Sequence, residues 1–381
     1  MSTALVSLLN SFSSDAYSKL KVWVLAPHLE SKDKNIDYYY DFSQSIEEYS
    51  RVFKALAINW KWQPINLVNQ KIIIADIANE KKLGHCFPIV INLCDGDEIN
   101  GTPGISIIKS LIENELIFTG ADEYFYNITT SKIPMKKSFD EAGVTNAKWM
   151  PIYSSAINTK DVFDYLGTPI IIKPAVSGGS MGVGIKNVVE TEEELRLLLN
   201  DLFEGYHGWN LTTDGLIAER FIVGPEFTSF VCGYYDKPTE AKVFMPVERV
   251  FHPSLPEKER FLSFDRLWEI YEKETSMPNE ENFYEYQIPN SNLIDSIKKL
   301  SWDAFVANKG TGYTRVDIRM DASSQKLFVL ETNAQCGISE DENFTSIGAI
   351  LKFSDVTFTQ LIEAILINAI NRYKDGFKLN S

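Results

Sequence analysis

Cysteine is scarce in this chain of 381 residues: Cys86, Cys94, Cys232 and Cys336 are scattered, with no C-x-x-C pair. None groups with histidine at zinc-ligand spacing, which leaves a structural zinc or a disulfide framework without support. The thiols read as reduced, as in a cytosolic protein. Positive charge is also in short supply, 37 Lys and Arg against 52 Asp and Glu, for a net charge of -15. That balance argues against a nucleic-acid surface or an anionic membrane as main partner. It does not exclude one small basic pocket for a phosphate ligand, because net charge says nothing about local fields. Long apolar runs are missing as well; none approaches the roughly 20 residues of a membrane span. The opening M-S-T-A-L-V-S-L-L-N-S-F-S-S-D has no basic stretch of the signal-peptide kind. It reads as a short amphipathic leader, a packing or dimer element. There is no internal repeat and no low-complexity tract.

What is present centres on Arg315–Gly337, R-V-D-I-R-M-D-A-S-S-Q-K-L-F-V-L-E-T-N-A-Q-C-G. The turn signal D-A-S-S-Q splits it into two strands. Side chains alternate along a strand, so Arg315, Asp317 and Arg319 share one face and Glu331 and Asn333 share another. A closed hairpin brings Asp317 opposite Glu331. Two carboxylates ~4 Å apart repel by roughly 4 kcal/mol at an effective dielectric of 20, so a hard divalent cation between them is expected. The plain alternative is a solvated hairpin.

Upstream, strands are expected at Lys21–Ala26, Lys71–Ile74, Pro88–Leu93 and Leu116–Thr119, with a helix over Ser43–Leu56. The alternation predicts a parallel α/β layer. His28, Glu30 and the Asp95–Gly104 loop then line the carboxyl ends of its strands as candidate substrate wall. Near Asn127 the character changes. T-T-S-K-I-P-M-K-K opens a helix ending before Gly143, and Thr168–Pro174 is an apolar strand with Lys173 near its end. A buried strand seldom ends in lysine without a partner for the charge. The following A-V-S-G-G-S-M-G-V-G-I lets the backbone approach a ligand closely; it is not a P-loop, and a simple glycine-rich turn is the alternative. Thr191 and Glu194 form a capping box. Residues 248–289 read as a long irregular lid, Asn292–Asn308 as a helix and Asp355–Tyr373 as a second one.

Four pieces stand in one order: T-T-S-K, I-I-K-P-A-V-S-G-G-S-M-G-V, A-E-R-F-I-V-G-P-E-F-T, and R-V-D with E-T-N and C-G. This order resembles the ATP-grasp superfamily, in its D-alanine–D-alanine ligase branch; N-L-C-D-G and F-T-G-A strengthen the likeness. The resemblance implies an α/β (α+β) ATP-grasp fold. Its parts would be a leader over 1–20, a Rossmann-like pre-ATP-grasp domain over 21–128, a central ATP-grasp subdomain over 129–218 and a C-terminal one over 219–381. It implies a cytoplasmic homodimer forming an amide bond between a small carboxylic acid and an amine, with ATP and two magnesium ions, manganese being able to replace them. Lys132 and Lys173 would contact the phosphates, and the loop containing Ser177, Gly178, Gly179 and Ser180 would cover them. Glu219 would meet the adenine amino group, Arg220 and Ile222 its edge, and Glu226 the ribose. Asp317, Glu331 and Asn333 would hold the metal. Arg315, Ser180 and Gly337 would be catalytic, with Arg315 stabilising the acyl phosphate and the tetrahedral intermediate.

Three positions depart from the family pattern. Ser177 replaces an acidic residue. F-L-S-F-D-R-L-W stands where the lid carries a phosphate-binding lysine, with Arg266 as a substitute shifted by one residue. C-G-I-S-E-D-E-N replaces P-G and small hydroxyl residues, and Glu340, Asp341 and Glu342 would repel a carboxylate. Substrates other than two D-alanines, such as a cationic amine, are therefore expected; the plainer reading of the three acids is a solvated acidic loop. A module that binds ATP but has lost its chemistry, serving as scaffold or sensor, and phosphotransfer without ligation are the alternatives.

Overall fold

A computed structural model describes residues 2–29, 41–205, 209–264, 266, 277 and 282–376. Among these, no helix is long and apolar enough to cross a membrane. The first part comprises α1 (Thr3–Asn10), β1 (Leu20–Pro27), α2 (Ser43–Leu56), β2 (Asn59–Ile65), α3 (Gln70–Lys82), β3 (Phe87–Asn92), α4 (Ile105–Glu113) and β4 (Ile117–Phe118). Its strands pair in parallel in the order β2-β1-β3-β4. Helices α5 (Glu123–Thr130) and α6 (Lys132–Ala142) lead out of it.

The expected strand at Lys71–Ile74 is instead the start of α3. A short apolar run such as K-I-I-I-A fits either element. Here Ile74, Ile77 and Ala78 continue it at helical spacing and are buried. The strand that the sequence hides is β2, N-W-K-W-Q-P-I. It sits at the sheet edge, where Pro64 costs no ladder hydrogen bond.

A second sheet holds β5 (Trp149–Ile152), β6 (Ile170–Pro174), β7 (Val188–Val189) and β8 (Leu216–Arg220), backed by α7 (Thr159–Leu166) and α8 (Glu192–Glu204). Its order is β5-β8-β6-β7, all antiparallel. The capping box at Thr191 and Glu194 starts α8. A division between 218 and 219 would cut β8.

The third part contains β9 (Glu226–Tyr234), β10 (Lys242–Val243), β11 (Val247–Phe251), β12 (Tyr284–Gln287), α9 (Ser291–Ala307), β13 (Thr311–Met320), β14 (Leu327–Ala334), α10 (Ser346–Phe353) and α11 (Phe358–Lys374). Its sheet runs β12-β11-β9-β13-β14 with β10 beside β9. Part of the irregular lid expected over 248–289 is thus regular: β11 and β12 pair as antiparallel strands.

The faces of β9 and β13 explain where the site lies. Phe227, Val231, Val316 and Ile318 point one way and pack with Ile297, Ala304 and Phe305 of α9. On the opposite face, Phe230, Cys232 and Tyr313 pack with Ile347 and Ile350 of α10 and Leu361 and Ile365 of α11. Each such aliphatic side chain contributes about 1.5–3 kcal/mol when fully buried. Further along that same face, strand alternation puts Glu226, Thr228, Arg315, Asp317 and Arg319. One sheet face is therefore core at one end and charged at the other. The amphipathic start is not detached: Leu5 and Leu9 are buried in this core, and the Ser2 amide donates to Glu363 of α11.

Candidate active site

The register of the β13–β14 hairpin sets Asp317 directly opposite Glu331 and Arg315 opposite Asn333. A bulge follows at Asp317/Ile318, as often happens beside a functional site. Arg315 donates to Asp317 through Nε at 3.0 Å and Nη2 at 2.9 Å. Thr228 Oγ1 and Asn333 Nδ2 each donate to Asp317 at 3.0 Å. Burial works against the Arg315 cation, but Asp317 outweighs it and raises the guanidinium further.

Glu331 faces Lys132, with Oε2 and Nζ 3.7 Å apart. Burial alone would raise Glu331; Lys132, Lys173 and Arg315 together hold it below the usual carboxylate range. Lys132 comes there because the Lys132 amide donates to the Ala175 carbonyl and Ser131 bridges to Val176, joining the start of α6 to the end of β6. Its ammonium also reaches Ser177 Oγ at 3.3 Å and the Ser177 carbonyl at 3.4 Å.

Lys173, from β6, meets Glu219 of β8 at 2.8 Å, and the other Glu219 oxygen accepts from Lys136. Glu219 is 1% exposed. Burial pushes its carboxyl up, and the two lysines more than reverse that. Arg220 pairs with Asp321 at 3.6 Å, and the Ile222 carbonyl accepts from Arg319 Nη1 at 3.0 Å. Glu226 is held between two arginines, Arg249 and Arg319, the latter through Nε at 3.1 Å.

The glycine loop turns sharply: Gly179, Ser180 and Gly182 have φ of 56°, 63° and 74°. A side chain at Gly182 would collide with Leu211, whereas one at Gly178 would meet nothing within 4 Å. The lid already touches this loop. The Phe264 amide donates to the Val183 carbonyl at 2.9 Å, and Phe261 packs with Val183 and Phe221. Arg266 turns to Glu259, 3.4 Å from its carboxylate.

Beyond the hairpin, Gln335 is buried with φ of 60° and joins two parts of the chain. Its Oε1 accepts from the Ala121 amide at 2.9 Å and its Nε2 donates to the Asn92 carbonyl. Gly337 follows, with no protein atom within 4 Å of a built Cβ. The three acids after it are each engaged. Glu340 pairs with Arg51, Asp341 accepts from the Asn343 amide at 3.0 Å and from Gln44 at 3.3 Å, and Glu342 pairs with Lys352 at 2.8 Å. Glu48 accepts from Ser339 at 2.7 Å, so α2 grips this segment along one stripe, Gln44–Glu48–Arg51.

A model of the D-Ala–D-Ala ligase C-terminus matches residues 139–367 of this chain. The chain belongs to the D-alanine–D-alanine ligase family. It is an ATP-dependent, ADP-forming carbon–nitrogen ligase of that type. A D-alanine–D-alanine ligase of Idiomarina loihiensis is 25% identical over 264 residues, 68% of this chain and 73% of the relative. One of Nitrosomonas europaea is 26% identical over 255 residues, 66% and 71% of the two chains. A D-alanine–D-alanine ligase of Bacillus anthracis, crystallised with ATP, superposes with a TM-score of 0.65 at 16% identity, covering 93% of this chain and 99% of that one. The enzyme of Coxiella burnetii gives 0.62 at 17%, over 94% and 97%. The folds correspond over almost the whole length, as the motifs led us to expect.

In this ligase, sequence reasoning missed Lys136, Arg249 and Gln335. Lys136 had a signal, since it lies four residues after Lys132 and so on the same helix face. Arg249 and Gln335 had none. Of the substrate-wall candidates, Glu30 lies outside the described residues. Glu98 serves its own loop, accepting from the Gly104 and Ser106 amides at 3.0 and 2.7 Å. Asp95 stays open to solvent.

Proposed function

We propose that this ligase joins a carboxylic acid to an amine through an acyl phosphate, on substrates other than two D-alanines. The facing pair Asp317 and Glu331, set among Lys132, Arg315 and Asn333, carries the proposal. Two carboxylates and an amide are hard oxygen donors of the kind magnesium takes, alongside the phosphates of a nucleotide. Among the described residues no three His, Cys, Asp or Glu side chains cluster for a metal, which fits ions held jointly by protein and nucleotide rather than by a closed protein cage. Two such ions, when bound, would screen the phosphate charge. Arg315 and Lys132 balance the two carboxylates here and supply the positive charge that developing negative charge would meet.

Lys132 and Lys173 neutralise the phosphates, and the loop Ser177–Ser180 offers amide donors to them. Glu219 and Glu226 border the base and the ribose, with Arg220 and Ile222 between them along the strand end. Arg315 and the Gly337 amide face the acyl carbon, where negative charge builds as the amine attacks. The lid contact at Phe264 and Val183 keeps water from the acyl phosphate. Homodimer assembly and a cytoplasmic location, implied by the resemblance, belong to the same proposal.

The acceptor differs from D-alanine because the segment after Gly337 lacks the short hydroxyl-rich form. It carries instead Ser339 to Asp341, anchored to α2. The acids there hold the segment in place, so they support a changed shape of the acceptor site more than a cationic acceptor. Phosphate release measured over pairs of acids and amines, with mass spectrometry on each positive pair, tests the proposal. Release that requires both partners is expected. Bound ATP with no release for any pair would favour the scaffold or sensor, a reading supported by Arg266 being engaged with Glu259.

A further inference from the structure

Two of the lysines of helix α6, Lys132 and Lys136, lie one turn apart and turn to different partners. Lys132 reaches Glu331 and Ser177. Lys136 goes inward and is fully buried; it donates to Glu219 Oε1 and to the Val329 carbonyl at 3.4 Å. Glu219 Oε2 accepts from Lys173 at 2.8 Å. A single carboxylate thus bridges two ammonium groups. The Lys173 side chain is 16% exposed, while that of Lys136 is 1% exposed. Buried lysines are rare, and a bare Lys173–Glu219 pair would satisfy the needs of packing without a second one.

The charge count shows what the second lysine adds. With Glu219 alone as neighbour, the positive charge of Lys173 would be largely cancelled, and a nucleotide would meet a neutral pair. With Lys136 behind it, the trio carries one net positive charge, and the side chain with solvent access is Lys173. The Val329 carbonyl also ties Lys136 to β14, two residues from Glu331.

We propose that Lys136 is a positioning residue for nucleotide binding: it balances Glu219, so that Glu219 orients Lys173 without cancelling the charge Lys173 presents to the phosphates. The proposal rests on the assignment of Lys173 to the nucleotide. Calorimetric titration of the full-length protein with ATP–Mg2+ tests it. Lys136→Met should weaken binding by about 10- to 100-fold, the range typical of removing a supporting residue behind a binding group. The Lys136→Met/Glu219→Gln double variant should bind more tightly than Lys136→Met, because the charge of Lys173 is no longer cancelled. A purely packing role predicts no such recovery, since the change at position 219 does not restore the volume of the Lys136 side chain.

Unchanged binding by Lys136→Met overturns the inference, as does a double variant that binds no better than the single one. Should Lys136→Met not fold, the double variant, whose amide at position 219 can still accept from the amino group of the base, decides: binding within about tenfold of wild type supports the inference, and a larger loss overturns it. Wild-type protein that binds no ATP–Mg2+ would overturn the nucleotide assignment itself, a result distinct from the other two.

Discussion

The cluster around Glu219 and Glu331 and the segment after Gly337 both carry dense charge, yet they use it differently. Around Glu219 and Glu331 the charges are buried and shared: each carboxylate answers to more than one cation, and each lysine lies close to more than one acid. After Gly337 the charges are half-exposed and paired singly with scaffold partners, as in Glu340 with Arg51 or Glu342 with Lys352. In the first region a change at Glu219 leaves the buried Lys136 without its carboxylate partner. In the second, one residue can change and its partner simply turns to solvent. Shared partners tie the first cluster to several strands and a helix at once, while the second segment is held at isolated points.

The comparison breaks most severely at Glu219. Glu219→Gln leaves the buried Lys136 without its hydrogen-bonded carboxylate and takes one from Lys173, and stability at pH 7 should fall by about 3–5 kcal/mol, read by denaturant unfolding. The pH dependence carries a sign. The folded carboxyls of Glu219 and Glu331 lie below their ordinary value of 4.5. Their contribution is complete above about pH 4.5 and is lost as pH falls through the lowered folded values. Wild-type protein should therefore lose stability more steeply than Glu219→Gln on acidification below that point.

Glu331→Gln should fold, because the amide still accepts from Lys132, but turnover should fall by about 10²–10³-fold in steady-state assays. Gly337→Ala has room on the protein side, so its melting temperature should not move. Its kcat/KM should drop by up to about 10²-fold as the methyl group enters the space of the reacting atoms. The smallest effect is expected at Glu340→Gln, where the half-exposed pair with Arg51 contributes little. KM for any accepted amine should stay within about twofold of wild type; a larger change would make that carboxylate a substrate contact and blur the contrast between the two ends.

Much of this was legible in the chain. The Asp317–Glu331 pairing follows from strand alternation and a polar turn, both local rules. Helix α2, the capping box at Thr191 and the lysine at the end of β6 carry equally local signals. Failures occurred where tertiary context decides. K-I-I-I-A fits a strand until the residues after it are counted, and β2 is an edge strand whose alternate residues face solvent. Arg249 and Gln335 act only through residues far away in sequence, Glu226 and Asn92, so no spacing rule marks them. The acids at 340–342 looked like a charged pocket; their partners on α2 and Lys352 could not be foreseen from their own neighbourhood.

The most direct test of the central claim is trapping of the acyl phosphate with hydroxylamine. Protein, ATP, magnesium and a panel of carboxylic acids, with hydroxylamine in place of the amine, should give the hydroxamate of the accepted acid together with ADP and phosphate. Glu331→Gln should give almost none. If wild-type protein binds ATP and magnesium but yields no hydroxamate with any acid, the cleft does not activate carboxylates and the account is wrong.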